Sequence, residues 1–564
     1  MTVSEYLVDF LISKGVTDVF GIPGGVVLDF LYALDGRKEI NAHLSYHEQG
    51  AAFAACGYAQ CHHSLGAAYA TRGPGFTNLI TGIADAYSDS LPVMLITAHS
   101  GTVVKNSMRF EQNQEMDTVS MISNITKYAT VIDEVESACV EINRAYNAAM
   151  SGRKGPVLLD FSARLWNREL GDSFEKYIAN QNIGTCASDV EGIIEIIKTS
   201  RQPILLVGDG VRQAGTVDEV VKLSKKLNIP VVSSRCSQDV GAVCENYYGY
   251  IGSHGIRYSN FIFAKADVVL ALGNRMSFPV NSESFQKALI NKKIIRIDID
   301  KDEFKREIPN SFTIEADLRQ FLPQFNAVDY KQKDTSDWLN VCIYLKNKLV
   351  DFDTNEAVQM VKTVFSVADS KNVIVSDVGN NEFWTSRGYE LAGAKARILY
   401  SKSFGALGCS LGKSIGAYYA SKLPIVCIVG DQGFQLNVQE LQLISKEKLP
   451  IAIILLNNNS SGMIRDQENK RYHGHFVDTT KSTGYGTPNF ELIAKSYGVD
   501  YYRVDIESRQ KIEQVLRRVT NPVLVEIVLN EEIALTPNLE KGKPMQVLTP
   551  ELEVDFNLEL EILL

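Results

Sequence analysis

The chain has 564 residues, too many for a single hydrophobic core, and that length predicts three or four domains. With 45% hydrophobic and 22% charged residues it has the composition of globular protein, and 57 basic against 67 acidic residues give a formal charge of -10, which excludes a basic field for nucleic acid. No apolar run reaches membrane-spanning length, and Glu5 and Asp9 interrupt the amino terminus where a signal peptide needs an apolar core, so the expectation is a cytoplasmic protein with no membrane partner.

Residues 1–167 alternate helix and strand. An amphipathic pattern over 3–14 leads through Asp18-Val19-Phe20 into Gly21-Ile22-Pro23-Gly24-Gly25, whose glycines permit a close backbone approach. A short strand ends at Tyr46, His47-Glu48-Gln49 follows, and residues 50–60 form a helix of small side chains. Strand 66–70 runs into Thr71-Arg72-Gly73-Pro74-Gly75, then comes a helix with Asn78, Gly82 and Asp85, then strand 92–97. Glu48 taken alone is ambiguous, because the helix dipole favours an acidic residue in any first turn.

A polar stretch precedes a second unit at 186–330. Strand 203–207 ends in Gly208-Asp209-Gly210, but Gln213 stands where a dinucleotide fingerprint needs its third glycine. Strands 268–272 and 294–299 follow. Another polar stretch leads to a third unit at 345–535, beginning with strand 373–376 and Asp377-Val378-Gly379-Asn380-Asn381. Within 423–463, apolar runs at 425–429 and 451–456 flank Val438, Leu441 and Ile444 at helical spacing, with Asn437 and Glu440 placed as a capping box. Strand, helix, strand with a right-handed crossover makes the strands parallel and brings Gly430-Asp431 and Asn457-Asn458 to one carboxyl edge. A carboxylate and an amide oxygen there suit Mg²⁺. Residues 460–485 are polar and dotted with glycine, the pattern of a lid, and 536–564 is a proline-spotted acidic tail. The fold class is therefore α/β, with three doubly wound parallel-sheet domains. The nine cysteines include no CxxC pair and offer neither a zinc site nor a nucleophile.

Gly-Asp followed after a helix by Asn-Asn resembles the thiamine diphosphate (ThDP) motif. The order GIPGG, HEQGAAFAACGYA and TRGPGFTNLITGIADAYSDSLPVMLIT resembles the pyrimidine-binding domain of ThDP enzymes, most of all the acetohydroxyacid (acetolactate) synthases; Gln114-Glu115 matches that group's glutamine loop. The resemblance spans nearly the whole chain. It implies that Glu48 activates the aminopyrimidine and that Gln114, Gly24 and Gly25 line the reacting carbonyl. Mg²⁺ would be held by Asp431, Asn458 and the Ser460 carbonyl. Gly379, Asn380, Asn381, Gly405, Leu407, Gly430, Gln432, Gly433, Gly462 and Met463 would surround the cofactor, with Leu407 as a buried buttress beneath it. Gln432 replaces the second glycine of the commonest motif.

Gly252-Ser253-His254-Gly255 resembles the family's central domain, which holds FAD, ADP or nothing. The implied reaction is decarboxylation of a 2-keto acid, pyruvate above all, with carboligation of the resulting enamine to a second carbonyl compound. The implied assembly is a homodimer as minimal unit, within a homotetramer, with Glu48 serving a neighbour's Asp431. The sequence departs from the synthases where they bind the acceptor: Gln467 stands at their lid tryptophan, Ala163 at their lysine, and Phe278-Pro279 at their Asp-Arg pair. Losing a lysine and an arginine removes the carboxylate clamps. A biosynthetic acetolactate synthase, a simple decarboxylase and a non-catalytic scaffold of this fold are the alternatives; residues 105–117 lack the paired histidines of pyruvate decarboxylases.

Overall fold

The computed structural model describes residues 1–100, 113–171, 187–277, 282–331, 333–553 and 559. Three sheets of six strands carry the architecture, and every neighbouring pair in them is parallel. The first comprises β1 (Asp18–Gly21), β2 (Asn41–Leu44), β3 (Gly66–Tyr69), β4 (Val93–His99), β5 (Tyr128–Ile132) and β6 (Val157–Ser162), in the order β2-β1-β3-β4-β6-β5. The second comprises β7 (Pro203–Val207), β8 (Val231–Ser234), β9 (Tyr247–Ile251), β10 (Val268–Leu272), β11 (Lys293–Asp298) and β12 (Ser311–Glu315), in the order β12-β11-β10-β7-β8-β9. The third comprises β13 (Val373–Ser376), β14 (Arg397–Leu399), β15 (Ile425–Gly430), β16 (Ile451–Asn457), β17 (Asp500–Val504) and β18 (Val523–Val528), in the order β14-β13-β15-β16-β18-β17. The outer sheets thus repeat one topology, while the central sheet has the order of a dinucleotide-binding fold. Helices cover both faces of such sheets, which is why β4 and β16 are apolar, or nearly so, and buried along their whole length.

The first and third domains share a core. The Glu48–His62 helix lies along the Ser410–Ser421 helix, and small residues let the two backbones touch. A Cβ on Gly416 would stand 1.8 Å from the Ala54 carbonyl oxygen, and one on Gly57 would stand 2.2 Å from that of Lys413. Ala51, Ala55 and Phe76 from one side join Leu411, Ile415 and Phe434 from the other. Lys413 and Asp85, both fully buried, pair at 2.8 Å within this seam.

The tail is built into the central domain. Its short antiparallel pair, Asn538–Leu539 with Leu548–Thr549, brings Leu539, Met545, Leu548 and Leu552 into a core with the Arg257–Lys265 and Ser336–Leu349 helices. Leu539 N–H donates to the Ser253 carbonyl at 2.7 Å and Asn260 donates to that of Met545 at 3.0 Å.

Candidate functional site

Strands β13, β15 and β16 end together at the carboxyl edge of the third sheet, where loops rather than the sheet itself present side chains. Gly430 caps a short helix, Asp431–Leu436, so that Asp431 occupies its first turn. The Asp431 side chain is 3% exposed, and its Oδ1 accepts a hydrogen bond from the Tyr485 hydroxyl at 2.7 Å. Oδ2 is buried with no partner. Burial pushes its carboxyl up to about 6, against the pull of the Tyr485 hydroxyl and the backbone N–H groups of Asn459, Gln432 and Ser460.

Asn458 and Ser460 follow β16, both buried. The Ser460 hydroxyl donates to the Thr479 carbonyl at 2.8 Å, while its own carbonyl accepts Gly462 N–H at 2.8 Å. Gly462 opens the next helix, and a Cβ there would lie 2.9 Å from Asn458 Nδ2 and 3.0 Å from Asn380 Nδ2, so glycine lets the two amides converge. Met463, the second residue of that helix, is partly exposed. Asn380 begins a helix that Gly379 caps at φ 106°, a backbone conformation that glycine permits. Its Oδ1 is a second buried oxygen without a partner. Asn381 donates to the Asp377 and Ile428 carbonyls and so fastens the turn after β13 to β15. Gly433 packs against Asp377, whose carboxylate takes the N–H groups of Gly408 and Ser410 at 2.8 and 2.9 Å. That contact shapes the Gly405–Gly408 turn. Leu407 sits on it over Gly433 and is partly exposed rather than buried, because it stands on a loop outside the sheet core. Gln432 faces outward and accepts weakly from Ser461 at 3.4 Å.

In the first domain Glu48 is the first residue of its helix and is 8% exposed. Asn78, one helix further on, donates from Nδ2 to Glu48 Oε2 at 2.9 Å. Gly75 lies against the other oxygen, where a Cβ would come within 3.2 Å. Gly24 is extended and packs on Thr71, and Gly25 has open space beside it. Gln114 is exposed at φ 61°, with its backbone against Gly73; Arg72 pairs with Glu115 at 3.7 Å. Glu48, Gly75, Thr71 and Gly24 are thus brought together, and the Gln114 loop rests on the same turn. No hydrogen bond joins Glu48 to Asp431 among the described residues: each is bonded within its own domain.

The segment from 460 onward is more regular than its composition suggests. It forms the Gly462–Tyr472 helix, and the chain then folds back so that Glu468 binds Thr479 Oγ1 and Tyr485 reaches Asp431. The helix expected over 438–446 is broken: a 3-10 turn at Val438–Glu440 precedes Leu441–Lys446. Asn437 caps neither piece with its side chain, which instead donates to Gln49 Oε1 and the Gly408 carbonyl, each at 3.0 Å. Asn78, Asp377 and Tyr485 join these sites through partners 30 or more positions away, which no local spacing marks. Of the acceptor-binding positions, Ala163 is half-buried after β6, Gln467 is exposed, and Phe278-Pro279 falls outside the described residues. Among the described residues no three His, Cys, Asp or Glu side chains cluster as metal ligands.

At the carboxyl edge of the central sheet the glycines meet protein. Cβ atoms on Gly208 and Gly210 would strike Gly273 at 2.2 and 2.7 Å. Asp209 pairs with Lys402 of the third domain, Asp239 with Arg212 and Arg397 at 2.7 Å each, and Arg235 with Glu382 at 3.0 Å. Arg153 of the first domain reaches Asp300 at 3.3 Å and also Glu303.

Three family models match in this order: the N-terminal TPP binding domain of thiamine pyrophosphate enzymes over residues 1–121, their central domain over 190–325, and their C-terminal TPP binding domain over 377–527. A probable acetolactate synthase large subunit of Methanocaldococcus jannaschii is 30% identical over 97% of this chain and 95% of its own length. The acetolactate synthase large subunit of Lactococcus lactis is 28% identical over 96% and 94%, and the chloroplastic acetolactate synthase 1 of Zea mays 30% over 96% and 87%. With all three domains matched and identity of this order along nearly the full length of these relatives, the chain belongs to the acetolactate synthase-like family of thiamine pyrophosphate enzymes.

Proposed function

We propose that this enzyme uses ThDP and Mg²⁺ to decarboxylate a 2-keto acid, pyruvate being the first candidate, and joins the fragment to a second carbonyl compound. The observation that carries the reading is the pair of buried oxygens, Asp431 Oδ2 and Asn380 Oδ1, that lack partners at the edge of the third sheet. A buried acceptor without a donor is costly, and a hard cation satisfies such an oxygen. Asp431, Asn458 and the Ser460 carbonyl would hold Mg²⁺; Gly379, Asn380, Asn381, Gly430 and Gly433 would hold the diphosphate, with Gly405, Leu407, Gln432, Gly462 and Met463 around it.

When bound, ThDP supplies the electron sink that loss of CO₂ requires. Glu48, oriented by Asn78, would hold a proton at N1′ of the aminopyrimidine. Gln114 and the backbone at Gly24 and Gly25 would place donors where negative charge develops on the reacting carbonyl. The Tyr485 hydroxyl steadies Asp431 from the lid side. Neither Ala163 nor Gln467 supplies a cation, so a ketone or aldehyde without a carboxylate suits the acceptor position. A second reading, a 2-keto acid acceptor, is favoured by the relatives, which are called acetolactate synthases.

The carboxyl edge of the central sheet suits neither FAD nor ADP in this reading: Gly208 and Gly210 pack on Gly273, and Asp209 and Asp239, tied to Lys402 and Arg397 of the third domain, put carboxylates there that disfavour an anionic diphosphate. We read this domain as a scaffold. The active assembly in this reading is a homodimer at minimum, within a homotetramer, in the cytoplasm. Glu48→Gln tests the whole: ThDP and Mg²⁺ should still bind while CO₂ release from pyruvate is lost, and unchanged turnover would sink the mechanism. Mass identification of products from aldehyde, ketone and 2-keto acid acceptors separates the two acceptor readings.

A further inference from the structure

Glu440 belongs to the third domain and is fully buried, yet its polar contacts reach into the first. Its Oε1 accepts the backbone N–H of Tyr46 at 3.2 Å and of His47 at 3.1 Å. Oε2 has no partner. These two N–H groups belong to the residues immediately before Glu48, at the point where the strand connection becomes helix. Gly50, in the first turn of that helix, lies so close that a Cβ would stand 2.3 Å from Glu440 Oε1; its own carbonyl would meet a Cβ on Gly412 at 2.7 Å. Asn437 completes the clasp by bonding Gln49. One side of the turn is therefore gripped by the third domain, while Glu48 leaves it to meet Asn78 and Gly75.

We propose that Glu440 is a positioning residue for Glu48: by fastening Tyr46 and His47 to the third domain it sets where the helix begins and hence where the Glu48 carboxylate stands. A backbone shift of an ångström at such a turn costs a catalytic group most of its alignment. The proposal rests on the reading of Glu48 given above. It requires an acceptor oxygen at position 440, and it does not require a negative charge there.

The test compares Glu440→Ala and Glu440→Gln with wild type and Glu48→Gln, in full-length protein with ThDP and Mg²⁺. Hydrogen exchange at residues 46–50 is read beside kcat and KM for CO₂ release from pyruvate. In the Ala variant, exchange at Tyr46 and His47 should rise about tenfold and kcat should fall roughly 10- to 100-fold with KM little changed. Gln, whose oxygen still accepts, should restore both to within about threefold. Glu440→Met, which keeps the volume and removes both oxygens, carries the same expectations if the Ala chain fails to fold. Unchanged exchange in the Ala or Met variant overturns the proposal. So does faster exchange with kcat unaltered, since the clasp would then not reach the chemistry, and so does a folded Gln variant that restores neither. Normal turnover in Glu48→Gln sinks the Glu48 reading instead, and exchange at Tyr46 and His47 still reports on the clasp.

Discussion

The carboxyl of Glu440 is pushed up to about 7 because burial disfavours its charge more than the two N–H groups of Tyr46 and His47 favour it. In the unfolded chain the same group releases its proton near 4.5. The folded state therefore keeps a proton that the unfolded state gives up. Its contribution to stability is complete below 4.5 and is lost as pH rises through about 7. Glu440→Gln mimics the protonated form at every pH. Urea unfolding at pH 5 and pH 8 should show the variant losing about 1–3 kcal/mol less than wild type across that interval, and equal losses would show that the group does not titrate in this window. Glu440 was visible in the sequence only as the wrong thing, the fourth position of a capping box. The places of Asp431 and Asn458 directly after strands and of Glu48 at a helix start agree with the sequence pattern, because such places are fixed locally, while their roles rest on the resemblance. Glu440, Asn78 and Tyr485 act on partners 30 or more residues away, and no local spacing encodes such a pairing.

The helices show the same division between what is local and what is not. Residues 50–60 announced a helix of small side chains, and the structure gives the reason for their size: the Ser410–Ser421 helix lies against it with backbones in contact. Gly416→Ala places a methyl 1.8 Å from the Ala54 carbonyl oxygen, which backbone cannot yield to without the helices separating. We expect a loss of about 1–3 kcal/mol in unfolding free energy. ThDP retention should weaken in the same variant, because this seam carries Gly50 and Gly412 at the clasped turn as well. Thermal unfolding and cofactor titration check the two effects, and an unmoved Tm would show that the seam can open at no cost. Residues 460–485 are polar and dotted with glycine, and such residues mark loops on average. Helix Gly462–Tyr472 forms there nonetheless, held by Arg465 and Asp466, which bond the Ile533 carbonyl and the Leu535 N–H of the chain beyond β18.

The three parallel sheets could be expected from alternating helix and strand, but how the domains meet could not, since ion pairs such as Asp209 with Lys402 join residues 193 positions apart. Those pairs occupy the central edge, so purified protein should carry no flavin by absorbance and should not gain it on incubation with FAD; stoichiometric flavin would overturn the scaffold reading. Glu48 and Asp431 make all their hydrogen bonds within their own domains, and the seam between those domains is closed by packed helices. A site assembled from the Glu48 of one protomer and the Asp431 of its neighbour makes a simple count. Glu48→Gln and Asp431→Ala should each remove activity alone. When equal amounts are dissociated and reassociated, half of the dimers are hybrids, and in each hybrid one site receives both altered residues while the other receives both intact ones. Activity should return to about a quarter of the wild-type value. A site formed within a single chain predicts no recovery at any ratio of the two variants.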